Sequence, residues 1–409
     1  MKKRALTGIR VIDLTWVWSG PMLSEFLADM GAEVIKVEHW TRLDASRFTG
    51  RFTGKASKEK TVVEKSGSFH ELNRNKLGIT LDLAKPKGVD LFNEIIKKSD
   101  LMVENFSFGV AEKLGIDYES LSKVKPDIIY LSMPAAGRSG PLRDIIGYAP
   151  VYTSLAGLES LSGYEDGTTL GMLTFGPGDA NAAIHGVIAA LAALRHHKRT
   201  GEGQFIELSQ TESICHLIGE PLMEYFMNDR VMGPQGNRHV MLFPHGIYPC
   251  KGDDKWVSIA VDTEEDWKNF CRALGSPDWI KDKRYSNKFE RMRNCEPLDK
   301  SISQWTRNYT DYQATEILQS NGVAAAPVLT RIEKSKDPQF KERRVFKKMI
   351  HPVVGEEFLE EIPMKLSDTP AEIYRNAPLV GEHNDYVYGE LLGMSKEQIA
   401  VLEEEKVIF

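Results

Sequence analysis

Short segments rich in valine and isoleucine alternate with helix-like segments through the first 200 residues, and this alternation constrains the fold more than any other feature of the sequence. Such an alternation is typical of a parallel β-sheet that is covered by helices. The predicted strands are Arg10 to Leu14, Glu33 to Val37, Leu101 to Glu104 and Ile128 to Ser132. Helices are predicted between them, as over Pro21 to Met30 and Pro86 to Ser99. The sequence therefore predicts an α/β fold.

The length of the chain, 409 residues, suggests roughly two domains. A large domain is predicted over 1–210, and a helical stretch over 211–227 forms the predicted linker. The character then changes, because hairpin-like strands over 245–261 are followed by amphipathic helices near 264–275 and 311–321. We interpret 228–326 as a smaller α+β domain, followed by a closing segment over 327–409.

Composition and charge argue against several classes of partner. The net charge is −6, with acidic and basic residues well mixed, so the basic stripe typical of nucleic-acid binding is missing. The longest apolar run, Ala182 to Leu194, has about 13 residues and is too short to cross a bilayer. The cysteines show neither CxxC spacing nor a disulfide framework, and no metal-ligand spacing is recognisable. We expect a cytoplasmic protein without nucleic-acid, membrane or metal partners.

The most informative stretch is GPGDANAAIHG, over 176–186, where two glycines precede Asp179 at the predicted start of a strong helix. Glycine lets a second molecule approach the backbone closely, and the N–H groups of a helix start stabilise negative charge. Two ordinary interpretations compete with a catalytic one. Aspartate is a preferred helix N-cap, which spacing alone favours. Gly176 and Gly178 also match the start of a dinucleotide loop, although Asn181 replaces its third glycine.

Two loops that follow predicted strands are candidate ligand contacts, because such loops line the crevice of an open α/β sheet. The first, TWVWSGP over 15–21, carries Trp16 and Trp18, which are suited to an aromatic or acyl group and equally to an ordinary core. The second begins with Asn105 and Phe106, and Lys113 lies on the helix behind it. These residues suit the adenine and phosphates of a nucleotide, although any surface helix carries such a lysine.

Motifs distributed over nearly the whole chain resemble the class III coenzyme A transferases, the family that includes formyl-CoA:oxalate and carnitine CoA-transferases. The matching strings are LTGIRVIDLT (6–15), Gly20-Pro21, MGAEVIKVE (30–38), NRNKLGITLDL (73–83), DLMVENFSFGVAEKLGIDYESL (100–121), GPGDANAAIHG (176–186), RTGEGQFIELSQ (199–210), NGVAAAPV (321–328) and APLVGEHNDYVYGELLG (377–393). Their order along the chain makes the resemblance specific.

The resemblance implies a fold, an assembly and a mechanism. It implies a Rossmann-like large domain, to which the final segment returns, and a small domain, with two chains interlocked like rings. The assembly would be a homodimer or a heteromer with a related subunit. Asp179 falls at the family's catalytic aspartate and would carry CoA as an aspartyl thioester. No cofactor would be permanently bound, since coenzyme A or its acyl ester is the substrate and a carboxylic acid is the acceptor.

The same resemblance implies a set of coenzyme A contacts. These are Val17, His39, Leu81, Asn105, Phe106 and Lys113. Relatives often have arginine where this chain has His39, which changes one expected phosphate contact. The backbone N–H groups around Gly176 and Gly178 would stabilise oxyanions and allow close approach of the substrate.

Two departures from the family pattern bear on the substrate. The loop PAAGRSGP, over 134–141, lacks an aromatic residue common in relatives, which would widen the acyl pocket. Trp18 stands where the oxalate-specific enzymes carry a polar residue, which argues against oxalate. With Trp16, Trp18 and Phe243 as the predicted pocket, we expect a bulky, aryl-substituted acid, such as a benzylsuccinate-type dicarboxylate, with succinyl-CoA as a donor.

Three other functions are compatible with a fold of this kind. The related 2-methylacyl-CoA racemases carry Gly-His-Asp where this chain has Gly147-Tyr148-Ala149, so the histidine of a racemase is missing. An inactive subunit of a heteromer is disfavoured because Asp179 and its glycines are retained. A nicotinamide dehydrogenase is disfavoured because no GxGxxG follows the first strand.

Overall fold

The computed structural model describes residues 3–49, 60–171 and 176–409. The β-strands are β1 (Arg10–Asp13), β2 (Glu33–Glu38), β3 (Leu77–Thr80), β4 (Leu101–Glu104), β5 (Ile129–Ser132), β6 (Gln204–Glu207), β7 (His245–Pro249), β8 (Trp256–Ala260), β9 (Ala324–Pro327), β10 (Phe346–His351) and β11 (Gly355–Glu360).

The α-helices are α1 (Ser19–Asp29), α2 (Gly67–Asn73), α3 (Pro86–Ile96), α4 (Val110–Leu114), α5 (Tyr118–Val124), α6 (Ala149–Leu155), α7 (Pro177–Thr200), α8 (Gln210–Leu217), α9 (Gly219–Asn228), α10 (Glu264–Ala273), α11 (Lys288–Arg293), α12 (Cys295–Thr306), α13 (Asp311–Ser320), α14 (Arg331–Lys336), α15 (Pro338–Glu342) and α16 (Lys396–Glu404). Short 3₁₀ turns cover Ala45–Phe48, Lys60–Glu64, Leu158–Leu161, Asp278–Lys281 and Lys283–Tyr285, and Asp385–Leu391 is a π-helix.

The chain forms two compact units, and the first is assembled from three separate segments. These are Met1–Leu158, Met172–Asp229 and Phe340–Phe409. The second unit consists of Glu159–Gly171 and Arg230–Gln339. The domain boundaries predicted at 210, 227 and 326 stay a prediction.

The first unit is built on a six-stranded parallel sheet with the order β3-β2-β1-β4-β5-β6. This is the order of doubly wound α/β folds. Successive residues of each strand point to opposite faces, so Val11 packs on one side and Ile12 on the other. Burial of both faces explains why these strands are nearly continuous apolar runs in the sequence. The predicted α/β class with a parallel sheet is confirmed.

Two sets of elements cover the sheet. Leu23 and Leu27 of α1 and Ala183 of α7 pack on one face. On the other face, α3 packs together with Val387, Tyr388 and Ile408 from the end of the chain. The hairpin β10-β11 also belongs to this unit.

Helix α7 spans 24 residues, and local sequence explains both of its ends. Pro177 occupies the first turn, where its missing N–H costs nothing, and Gly201 ends the helix in the left-handed conformation that glycine tolerates. The helical stretch predicted after 210 is divided into α8 and α9 at Ile218.

The second unit contains the antiparallel sheet β7-β8-β9, with helices α10, α12 and α13 around a core of its own. Tyr248 pairs with Val257 across the hairpin, and both are buried. Phe270 of α10 and Leu318 of α13 are buried in the same core. The hairpin and the two amphipathic helices predicted for this region are therefore present.

Candidate active site

Four loops that carry predicted coenzyme A contacts lie side by side at one edge of the parallel sheet. Val17 follows β1, His39 follows β2, Leu81 follows β3, and Asn105 with Phe106 follows β4. These strands are consecutive in the sheet order, and all of them point the same way. The carboxyl ends of parallel strands form the usual ligand crevice of an α/β fold.

Asp179 is the third residue of α7 and is half-buried. The N-cap position belongs to Gly176, whose carbonyl oxygen accepts a hydrogen bond from the N–H of Asp179 at 3.0 Å. The carboxylate of Asp179 therefore does not occupy the N-cap position of its helix. Its hydrogen-bond partners come instead from other elements, α1 and α6.

Two residues donate hydrogen bonds to the Asp179 carboxylate. The Tyr152 hydroxyl, on α6, donates to Oδ1 at 2.7 Å. Ser19, the first residue of α1, interacts through its backbone N–H and its hydroxyl. Burial raises the pKa of Asp179 above its ordinary value, and these hydrogen bonds oppose that shift because they stabilise the ionised form. The start of α1 adds a partial positive charge beside the carboxylate.

The two predicted close-approach glycines are packed against the side chains of this site. A Cβ atom at Gly176 would lie 2.4 Å from Oδ2 of Asp179. A Cβ atom at Gly178 would lie 2.9 Å from Cε2 of Tyr152 and 2.7 Å from Cγ2 of Thr153. Both positions exclude a side chain, so the glycines let the nucleophile candidate and its tyrosine partner come together. Their role in oxyanion binding stays a prediction.

The loop between β1 and α1 is held through its backbone by the polar side chains of Asn105 and Asp44. The Asn105 amide accepts from the N–H of Trp16 and donates to its carbonyl oxygen, both at 2.9 Å. Asp44 accepts from the N–H of Val17 at 3.0 Å. Val17 has a φ of +73°, which is unusual for a β-branched residue and requires such support. This loop leads directly to Ser19.

A buried network of charges lies beneath that loop. Lys36 contacts Asp44 at 2.9 Å and donates to the Thr15 carbonyl oxygen at 2.9 Å, and Lys76 donates to Asp13 at 2.9 Å. Burial opposes ionisation of Asp13, but the charges of Lys76 and Lys36 outweigh it and hold the pKa of Asp13 well below its usual range. Burial lowers the pKa of Lys76 to about 8.

The predicted coenzyme A contacts differ in what their side chains offer. His39 is half-buried and stacks on Trp40, with ring centroids 4.2 Å apart. The Leu81 side chain is buried in the core, and Phe106 packs partly against the same cluster. Lys113 is exposed on α4. His39, Phe106 and Lys113 therefore retain surface that a ligand can contact.

Two of the three predicted pocket residues lie in the first unit and the third in the second. Trp16 and Trp18 are half-buried, and the Arg42 guanidinium lies 5.1 Å from the Trp16 ring centroid. Phe243 belongs to the second unit and is buried there, where its carbonyl oxygen accepts from Arg291 at 3.2 Å. A shared pocket of these three residues stays a prediction.

Sequence reasoning missed Ser19 and Tyr152. Ser19 lies inside the quoted loop TWVWSGP, immediately before Gly20-Pro21, so its place at a helix start was available as a signal. Tyr152 lies in APVYTSL and matches no recognisable motif. Its role depends on how α6 packs against α7, which short-range patterns do not reveal.

Among the described residues there is neither a membrane-spanning helix nor a metal-binding cluster. Within 3–49, 60–171 and 176–409, no helix is long and apolar enough to cross a membrane. Across the same three ranges, no group of three or more His, Cys, Asp or Glu side chains could hold a metal ion.

Comparison with known proteins gives consistent matches along the chain. The model of "CoA-transferase family III" matches residues 6–384. The succinyl-CoA–D-citramalate CoA-transferase of Chloroflexus aurantiacus is 30% identical over 99% of this chain and 98% of its own. The succinyl-CoA–L-malate CoA-transferase beta subunit of the same organism is 32% identical over 98% of both chains.

A solved structure agrees with these matches. The crystal structure of a CAIB/BAIF family protein from Brucella suis superposes with a TM-score of 0.85 at 27% identity, covering 96% of this chain and 100% of that one. Its fold, the family match and the sequence relatives all extend over nearly the whole chain, and the chain therefore belongs to CoA-transferase family III and is a CoA-transferase.

Proposed function

We propose that this enzyme transfers coenzyme A through an aspartyl-CoA thioester on Asp179. The observation that carries the proposal is the environment of the Asp179 carboxylate. Asp179 is half-buried in the first turn of α7, and its carboxylate accepts hydrogen bonds from Tyr152 and Ser19. Burial removes solvent from the carboxylate, while its hydrogen-bond donors keep the ionised form accessible. A nucleophilic carboxylate needs both conditions.

The reaction proceeds in two halves. The Asp179 carboxylate attacks the thioester carbonyl of the donor, and the carbon–sulfur bond breaks to release CoA thiolate and a mixed anhydride. The thiolate then attacks Cγ of Asp179, and the donor acid leaves as a carboxylate. The acceptor carboxylate attacks the resulting aspartyl thioester, and the released thiolate finally attacks the acyl carbon of the acceptor. This returns Asp179 as a free carboxylate.

Coenzyme A is proposed to bind along the sheet edge formed by the loops after β1 to β4. Val17, His39, Asn105 and Phe106 are supported by their places in these adjacent loops. Leu81 is proposed to contribute its backbone, since its side chain is in the core. The proposal also includes Lys113, which follows the same edge on α4 and offers a charge to the CoA phosphates.

Succinyl-CoA is proposed as the donor and a bulky, aryl-substituted carboxylic or dicarboxylic acid as the acceptor. The donor is supported by the names of two relatives, each of which is a succinyl-CoA-dependent transferase. The acceptor is supported by the aromatic residues Trp16 and Trp18 in the loop that leads to Ser19. The test is to compare the rates of CoA transfer to a panel of acids that includes oxalate, citramalate, malate and benzylsuccinate. The acid with the highest kcat/KM identifies the acceptor class.

The working assembly is proposed to be a dimer of interlocked chains, as the family resemblance implies. Apolar side chains on α9 support an interface between chains, because several are more than half exposed in the single chain. They are Leu222, Met223, Phe226 and Met227, at 58%, 55%, 73% and 73% exposure. Apolar surface of this kind on a soluble enzyme usually marks an interaction site.

The test of the nucleophile is covalent trapping. Purified protein is incubated with succinyl-CoA and other acyl-CoAs, and hydroxylamine or borohydride then converts an aspartyl thioester into a stable adduct. We expect mass spectrometry to find the adduct on the peptide that contains Asp179. The Asp179→Asn variant, which keeps the shape but not the charge, should lose the adduct and lower kcat at least about 10⁴-fold, as other losses of a nucleophile do.

The matched control is Asp90→Asn, which changes an exposed aspartate on α3 and should keep both the adduct and the rate. Persistent transferase turnover in Asp179→Asn would show that another group is the nucleophile. Exchange of an acyl-CoA α-proton without any adduct would instead indicate racemase chemistry.

A further inference from the structure

We infer that Tyr152 is a catalytic residue of this transferase, and that its hydroxyl stabilises the oxyanion that forms on Oδ1 whenever Cγ of Asp179 is attacked. The inference rests on the proposed function, because it requires Asp179 to be the nucleophile. It assigns different roles to the two oxygens of one carboxylate. Oδ1 remains the carbonyl oxygen throughout, and Oδ2 is the oxygen that attacks the donor.

The geometry distinguishes the two oxygens. Oδ1 accepts the Tyr152 hydroxyl at 2.7 Å, which is a short hydrogen bond to a charged acceptor. Oδ2 lies on the side of Gly176, where a Cβ atom would come within 2.4 Å of it. A side chain at residue 176 would collide with Oδ2, so glycine is what leaves room for this oxygen. The Tyr152 hydroxyl therefore marks Oδ1 as the carbonyl oxygen, and we assign bond formation to Oδ2.

The atoms balance with this assignment. Oδ2 bonds to the acyl carbon of the donor as the carbon–sulfur bond breaks, and the thiolate leaves with the electron pair. Thiolate then adds to Cγ, and the electron pair of the Cγ–Oδ1 double bond moves onto Oδ1. When the electron pair on Oδ1 re-forms the Cγ–Oδ1 double bond, the Cγ–Oδ2 bond breaks and Oδ2 departs with the donor acid. Attack by the acceptor carboxylate on the aspartyl thioester places charge on Oδ1 a second time.

Tyr152 is fixed in place before the reaction begins. Only 2% of the residue is exposed, and its ring packs so closely on Gly178 that a Cβ atom there would come within 2.9 Å of Cε2. A donor that is already oriented needs little reorganisation as charge develops, which is what makes such groups effective in catalysis. The inference thus explains why a tyrosine and two glycines surround one carboxylate.

The tyrosine also remains a donor throughout the working pH range. Burial, together with the neighbouring Asp179 carboxylate, raises the pKa of Tyr152 far above its ordinary value. The phenol therefore keeps its proton at any pH at which the enzyme works. It stabilises the oxyanion by hydrogen bonding and transfers no proton.

The test compares Tyr152→Phe with the wild type, because this change removes one hydroxyl and little volume. Removing a single oxyanion donor typically costs 10²- to 10³-fold in kcat, so we expect a loss of about that size with KM values changed by less than about threefold. Rapid quenching should show formation of the aspartyl thioester slowed by a similar factor. A purely structural role for the hydroxyl would alter stability or KM instead.

The matched control is Tyr130→Phe on β5. Tyr130 is as deeply buried as Tyr152, but its hydroxyl has no hydrogen-bond partner among the described residues. Its loss should leave kcat and thioester formation unchanged. Incorporation of 3-fluorotyrosine at position 152 keeps the shape and gives a more acidic hydroxyl, and it should support thioester formation at least as fast as tyrosine does. This second variant tests the role of the hydroxyl even if Tyr152→Phe folds poorly.

The outcomes separate the inference from the proposed function. If Tyr152→Phe forms the thioester at the wild-type rate while Asp179→Asn is inert, Tyr152 is not the oxyanion donor and the aspartyl mechanism stands. Turnover in Asp179→Asn would remove the proposed function and this inference together. A large rise in KM with unchanged kcat in Tyr152→Phe would also overturn the inference, since it would place the hydroxyl in substrate binding.

Discussion

Asp179 has to satisfy two opposing demands at the scale of a single residue. Its carboxylate must lose water to become reactive, and it must stay ionised to attack. Burial raises the pKa of its carboxyl, and the hydrogen bonds from Tyr152 and Ser19 oppose that rise. The motif GPGDANAAIHG identified the aspartate in the sequence. Its partners lie outside that motif, on α6 and α1.

The balance at Asp179 predicts how activity depends on pH. Because burial raises the pKa of this carboxyl, a larger fraction is protonated at a given low pH than for an exposed aspartate. The kcat/KM for the donor acyl-CoA should therefore fall as the pH drops through this raised pKa, and should level off above it. Initial rates measured across an acidic pH series give the pH at which kcat/KM falls.

Circular dichroism over the same pH series serves as the control, because it separates loss of ionisation from acid unfolding. If kcat/KM falls only at or below the ordinary aspartate pKa while the protein is still folded, the prediction is contradicted. So would a rate that rises as the pH falls.

At the scale of elements, the loop between β1 and α1 depends on partners that lie elsewhere in the chain. Asp44 holds the N–H of Val17 and is paired with Lys36, and both charges are buried. The strand β1 was predictable because its apolar residues form a continuous run, and its predicted end differs by one residue. The loop conformation was not predictable, since it is set by Asp44 and Asn105 after the chain has folded.

Removal of Asp44 should therefore destabilise the fold. In Asp44→Ala, Lys36 remains buried without its carboxylate and the N–H of Val17 loses its acceptor. Breaking one partner of a buried ion pair typically costs about 3–5 kcal/mol, and we expect the free energy of unfolding in urea to fall by that amount.

The comparison variant is Glu94→Ala, which removes the partner of Lys97 from an exposed ion pair at the end of α3. Exposed pairs contribute little, so its free energy of unfolding should change by less than about 1 kcal/mol. Equal effects of the two substitutions would show that the network beneath the loop does not support it.

At the scale of the whole molecule, sequence patterns predicted the class of the sheet but could not show which distant segments complete it. The strand β3 is absent from the predicted strands, because it has only four residues and Gly78 interrupts its apolar pattern. Its neighbours include Pro378, which lies against Gly78 although it is remote in sequence. Local propensity carries no information about such contacts.

The proposed interlocking of two chains predicts how the assembly exchanges subunits. Light scattering should give a mass close to twice the 46.0 kDa of one chain. When tagged and untagged protein are mixed in native buffer, no mixed dimers should form, because linked rings separate only after a chain unfolds. Refolding the same mixture from urea should produce them.

That refolded mixture is also the control, since it shows that the tag does not prevent pairing. Rapid exchange in native buffer would mean that the chains are not linked. A single-chain mass without transferase activity would indicate that a different subunit is needed, as in the heteromeric relative.

The discontinuity of the first unit has a consequence for synthesis on the ribosome. All six strands of the parallel sheet have emerged once β6 is complete, but Val387, Tyr388 and Ile408, which cover one face, are translated only near the end. Helix α3 already packs on this face, but the part that the C-terminal residues cover stays exposed throughout translation of the second unit. Transiently exposed apolar surface makes a partly folded chain prone to aggregation, so the last segment of the chain closes the period of greatest risk.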